Sequence, residues 1–90
     1  MPRLSSGLII AGAYANKIRR VMFAMEKGLD SKEIARAVGE LNATLFHLVR
    51  DLGIDKGDIV RITIEYRVEE GRIVWDWDTL EIQHLSLIHI

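Results

Sequence analysis

Ninety residues, 49% of them hydrophobic, suffice for one domain with a modest core. The lack of cysteine excludes a disulfide framework, a thiolate metal cage and a thiol nucleophile, and a net charge of −1 excludes a protein that coats duplex DNA by charge alone. The charge is unevenly placed: residues 1–50 hold eight Lys/Arg against four Asp/Glu, and residues 51–90 hold four against nine, which fits an acidic partner near the first half or two halves that attract each other.

The opening Met1 to Ser6 lacks the long apolar stretch of a signal peptide. No run approaches the roughly 18 apolar residues of a spanning helix, so a cytoplasmic protein without membrane contact is expected. Leu8-Ile9-Ile10, between Ser5-Ser6-Gly7 and Ala11-Gly12-Ala13, reads as a short buried first strand. A first helix is expected over residues 14–27 with Asn16 as its N-cap, since Ile18, Val21, Met22 and Met25 share one face. At 100° per residue its other side brings Arg19, Phe23, Lys27 and Arg20 together, one aromatic among three cations.

Asp30 and Glu33 stand at the N-cap and N3 positions of a second helix, close to a capping box. Ile34, Val38, Leu41, Leu45, Leu48 and Leu52 step by four and three along it, and Gly53 stops it. Ala35, Asn42, Phe46 and Val49 widen the apolar stripe on one flank, which suits packing across a sheet better than a two-helix zipper. Residues 54–58 form a turn-rich connector.

Val60, Ile62, Ile64, Tyr66 and Val68 then alternate with Arg61, Thr63, Glu65 and Arg67, the period-two pattern of a strand with one dry face. Glu70-Gly71 reads as a two-residue hairpin turn, which sets Val68 opposite Ile73, Tyr66 opposite Trp75 and Ile64 opposite Trp77. A second turn at Asp78-Thr79 would make Leu80, Ile82 and His84 a fourth strand. The expected fold is α+β, an antiparallel sheet of about four strands with two helices packed on one face, in the order β-α-α-β-β-β. Residues 1–84 are read as one domain. Residues 85–90 match the translation of a sequencing adapter and are read as a non-native tail, with the natural chain continuing past His84.

The three histidines, His47, His84 and His89, have no second ligand at helical spacing, so no metal site and no cofactor are expected. Asp76, Asp78 and Glu81 lie close in sequence, yet no nucleophile-base ordering or phosphate-cradling glycine loop accompanies them, and an enzyme is not expected. Tyr66, Trp75 and Trp77, beside Arg61 and Arg67, are the strongest binding candidates, because single strands are held by rings that stack on bases and cations that meet phosphates. The register puts these rings on the core face, so burial is the favoured reading; a sheet wider than its two helices would leave some uncovered. For Phe23, the competing reading is contact with the second helix or another subunit.

Several separated blocks resemble a small archaeal family related to ThermoDBP, the single-stranded DNA-binding protein of some hyperthermophilic archaea. They are Gly7 to Ala15, Lys17-Ile18-Arg19-Arg20 with Phe23-Ala24, Glu40-Leu41-Asn42 with Leu45-Phe46, Asp55 to Asp58, Ile64-Glu65-Tyr66, and Trp75-Asp76 before Leu80. The resemblance implies an α+β fold, no catalysis, and a cleft of apolar and basic side chains that takes single-stranded DNA or RNA. It carries a nucleic-acid role onto Lys17, Arg19, Arg20, Phe23, Tyr66 and Trp75, while Trp77 keeps a ring where a tyrosine is usual. It also implies a homo-oligomer in the full-length form. The alternative reading is an assembly module without a nucleic-acid ligand, its apolar surfaces, Phe23 and the last strand among them, pairing with another chain.

Overall fold

The computed structural model describes residues 1–85. Strand β1 (Arg3–Ile10) leads through a 3-10 turn (Ala11–Ala13) into helix α1 (Tyr14–Met25), and helix α2 (Ser31–Asp51) precedes strands β2 (Ile59–Glu69) and β3 (Arg72–Leu85). β2 lies between the other two strands and is antiparallel to both. The expected α+β layering is present: α1 packs on β1 and α2 on β3, covering one face of the sheet. Among the described residues the strands number three instead of four, because the expected third and fourth are one continuous strand.

The reason is a hydroxyl group. Glu70 and Gly71 have φ of 51° and 77°, the two positive values that a type I′ turn demands, and the hairpin pairs Val68 with Ile73 and Tyr66 with Trp75 as expected. Glu65 then pairs with Asp76 but Thr63 pairs with Glu81, so β3 bulges at residues 77–80 opposite Ile64. Thr79 Oγ1 accepts the Glu65 amide at 2.8 Å and donates to the Asp76 carbonyl at 2.7 Å. With the ladder groups satisfied across the irregularity, the chain continues where Asp78-Thr79 was expected to turn it. Trp77 is thereby displaced from its expected place opposite Ile64.

A similar device extends β1. Ser5-Ser6-Gly7 looks like a loop before a strand but lies inside one, since Gly7 takes a φ of 66° and Ser6 Oγ accepts the Ile62 amide at 2.9 Å. The register shifts between Ser5 and Leu8 while the buried amide keeps a partner. The first helix also begins differently. Tyr14 donates its amide to the Ala11 carbonyl and no side chain caps α1, so Asn16 sits within the helix instead of at its start. α1 ends at Met25, which takes Lys27 off the helical face it was expected to share with Phe23.

Asp30 does cap α2, accepting the Lys32 amide at 3.1 Å. Glu33 turns away from the cap. Its carboxylate accepts the Ile73 amide at 2.8 Å and two bonds from Arg36 at 2.8 and 2.6 Å, and Arg36 donates to the Ile73 carbonyl at 3.0 Å. The outer edge of β3 is thus closed at Ile73 by two side chains of α2, which blunts a sheet edge otherwise open to another strand. The hydrogen bonds from Arg36, with the Ile73 amide adding to them and burial opposing, hold the Glu33 carboxyl down at about 2. Ile18 and Met22 of α1, Ile34, Val38, Leu41 and Leu45 of α2, and Val60, Ile62 and Ile64 of β2 fill the space between the layers. The Ile34, Val38, Leu41 and Leu45 stripe of α2 therefore faces the sheet, whereas Ala35 and Phe46, expected to widen it, are exposed.

Candidate nucleic-acid interface

Two of the three candidate rings in the hairpin are sealed. Tyr66 is 0% and Trp75 4% exposed; they meet edge to face at 5.5 Å between centroids, under the helices. Their polar atoms also point inward, the Tyr66 hydroxyl donating to Glu26 Oε2 at 2.5 Å and the Trp75 indole donating to the Ala37 carbonyl at 2.9 Å. Burial, then the Glu26 carboxylate, push the Tyr66 phenol up. Tyr66 and Trp75 are therefore core side chains, although Trp75 also lines the groove beside Trp77.

Trp77 is 41% exposed because the β3 bulge lifts it to the rim. Its groove holds Arg36 and Arg72 but also Glu40, Glu69 and Glu70, and Arg36 is already paired with Glu33 and Glu40. The charged lining is therefore mixed, two guanidinium groups against three carboxylates. Arg61 and Arg67 project from the uncovered sheet face on β2, where Arg61 donates to Gln83 at 3.3 Å and Arg67 is paired with Glu69 at 2.5 Å. The expected single groove shared by the hairpin rings and these cations does not form.

The basic side of α1 does assemble. Its inward face is spent on Ile18 and Met22, which leaves Arg19, Arg20 and Phe23 exposed and Lys17 half-buried. Lys17, Arg19 and Arg20 line a recess with Ile9, Ala13 and Asn16, and Arg19 and Arg20 border a second with Phe23. Among the described residues, no acidic side chain lines either one. Among the described residues, none of the three cations forms an ion pair.

A third recess, which the sequence reading passed over, opens on the other side of the 3-10 turn. Its walls are Ala11, Gly12, Tyr14, Phe46, Val49 and Ile54, with Arg50 and Lys56 at the same site. Phe46 is 57% exposed and the Arg50 guanidinium lies 5.8 Å from its ring centroid, within cation–π range. The Tyr14 phenol is pushed up by burial. The sequence signal was an aromatic and an arginine four apart on the flank of α2, which reads equally well as a widened core stripe. Among the described residues no group of His, Asp or Glu side chains is placed to hold a metal ion, and no helix is long and apolar enough to cross a membrane.

The model of a protein family described as ThermoDBP-related, archaea, matches residues 4–74. The chain belongs to that family. A crystal structure of pfuThermo-DBP-RP1 (crystal form II) superposes on it with a TM-score of 0.92 at 42% identity, covering 94% of this chain and 58% of the other. A crystal structure of apeThermo-DBP-RP2 bound to ssDNA dT10 gives the same TM-score of 0.92 and identity of 42%, covering 96% of this chain and 43% of the other. The ThermoDBP-related chain thus spans about half the length of these two relatives. No curated protein matches it.

Proposed function

We propose that this ThermoDBP-related domain is a non-enzymatic single-stranded nucleic-acid-binding module whose contact surface is the outer side of α1. Lys17, Arg19 and Arg20 neutralise phosphates and Phe23 offers a stacking surface to a base. The observation that carries this reading is electrostatic: the recesses along α1 are lined by cations without an acidic neighbour, whereas the Trp77 groove mixes two arginines with three glutamates. A flexible polyanion is drawn to the first surface and not to the second. The relative with dT10 bound, 42% identical over nearly the whole of this chain, supports single-stranded DNA as the ligand. RNA shares the chemistry used here, phosphates and unpaired bases.

Fluorescence anisotropy with labelled dT10 and U10 tests the proposal. Three phosphate contacts on a single strand give a log–log salt slope of about −2, so affinity falls about 20-fold between 50 and 200 mM salt. A folded protein that binds neither oligonucleotide at 50 mM salt overturns it.

One observation favours a second reading, that the domain is an assembly module. Leu8 and Ile10 on β1 are exposed, and Ile10 stands in register with Ile59 across the uncovered sheet face. Sedimentation showing a mass that rises with concentration, and that Leu8→Ser with Ile10→Ser returns to monomer, supports this reading; a monomer at millimolar concentration ends it.

A further inference from the structure

We infer that the recess between the 3-10 turn and the C-terminal end of α2 is a subsite for one nucleobase of a bound single strand, stacked on Phe46, with the adjoining phosphate between Arg50 and Lys56. The inference rests on the function proposed above and extends the contact surface around the turn. Ala13 lines the α1 recess that holds Lys17 and Arg20, while Ala11 and Gly12 line this one, so the two recesses share the 3-10 turn as a border.

Three features of the recess fit a base better than any side chain of the domain. Its volume of about 360 Å³ is walled by aliphatic and aromatic groups, which suits a flat heterocycle. Phe46 keeps more than half of its surface in solvent although it sits at the end of a helix whose other large apolar residues are mostly covered. The only charged side chains lining the recess, Arg50 and Lys56, are cations that form no ion pair among the described residues. Apolar wall, uncovered ring and uncompensated positive rim together match a nucleotide, with its base inside and its phosphate outside.

The recess is also held open by the backbone. The Ala11 amide donates to the Asp58 carbonyl at 2.7 Å and the Gly12 amide to the Lys56 carbonyl at 3.0 Å, which fixes Lys56 beside the turn. A Cβ on Gly12 would stand 3.4 Å from both the Lys56 Cβ and its carbonyl oxygen, at the near edge of ordinary contact, so the turn and the Lys56 loop are closely packed. On the far side, Gly53 takes a φ of 69° and the Ile54 amide donates to the Val49 carbonyl at 3.0 Å, returning the chain to close the wall. A subsite held in place in this way loses little freedom when a ligand enters.

The test compares dT10 with a decamer of abasic deoxyribose phosphates of equal charge, on wild type, Phe46→Ala, Phe46→Leu and Arg50→Gln with Lys56→Gln. Phe46 is exposed, so its variants keep the wild-type melting temperature, and leucine retains apolar bulk without the ring. Loss of one stacked base weakens dT10 about 5- to 150-fold for Phe46→Ala, and Phe46→Leu moves the same way, while the abasic decamer changes less than twofold. The double charge variant weakens both ligands and flattens the salt slope by about 0.7, the share of the one phosphate held there. Phe46→Ala that binds dT10 within twofold of wild type, or that loses both decamers equally, overturns the subsite and leaves the α1 surface standing. Wild type that binds neither decamer removes the underlying function as well.

Discussion

Replacing Lys17, Arg19 and Arg20 together by glutamine separates the α1 surface from every other place on the domain where cations occur. The three side chains lie on the outside of a helix whose buried residues are Ile18 and Met22, and glutamine matches lysine and arginine in helix propensity, so the fold is left intact. None of the three donates to an ion pair that the substitution would break, among the described residues. Each cation that meets a phosphate of a single strand contributes about 0.7 to the log–log salt slope, so the triple variant loses about 2 of that slope. At 50 mM salt the affinity for dT10 falls at least tenfold, and the further fall on going to 200 mM shrinks by about 20-fold relative to wild type. The matched control is Arg61→Gln with Arg67→Gln on the uncovered sheet face, which removes two charges and leaves affinity and slope within twofold of wild type. Anisotropy titrations at four salt concentrations read both quantities, with circular dichroism to confirm the fold. An unchanged slope in the triple variant, or a larger loss in the sheet-face control, refutes the assignment of phosphate contacts to α1.

The remaining predictions concern the frame that presents this surface. Glu33 has a folded-state value of about 2 against an ordinary 4.5, so its ionised form is the one the fold favours. The stability it contributes is fully present above about pH 4.5 and is lost as pH falls through 2, and Glu33→Gln therefore lowers the melting temperature at pH 6 but narrows its gap to wild type as the pH approaches 2. Parallel melting curves from pH 6 to pH 2 would contradict the clamp on Ile73. Trp75→Phe removes the indole donor and leaves the Ala37 carbonyl unpaired in a buried place, a loss of about 1–3 kcal/mol in chemical denaturation. Its affinity for dT10 stays within twofold of wild type, since the ring faces the core; a fivefold or larger loss by a folded variant would return Trp75 to the interface.

How far the sequence could be read depended on how local each determinant is. The type I′ turn and the two pairs after it follow from residues within a few positions of one another, as does the Asp30 cap, and all of these appear as expected. The reading failed where a side chain from elsewhere supplied a backbone partner. Thr79 let β3 run on past its expected turn, Ser6 absorbed a bulge inside β1, and Glu33 left its own helix end for the amide of Ile73. The same distinction governs the site. The basic stripe of α1 is visible because a helix repeats every 3.6 residues, whereas the Phe46 recess draws walls from the 3-10 turn, both helices and the loop at Lys56, which no periodicity links. The rings pull the two problems together: the alternation that revealed the hairpin is itself a mark of burial, so the more strongly Tyr66 and Trp75 announced a strand, the less they could serve a ligand. A ring available for stacking is one that breaks its element's pattern, as Trp77 does by a bulge and Phe46 by standing on the flank of α2. Between those two, the neighbouring charge decides, and it is positive only at Phe46.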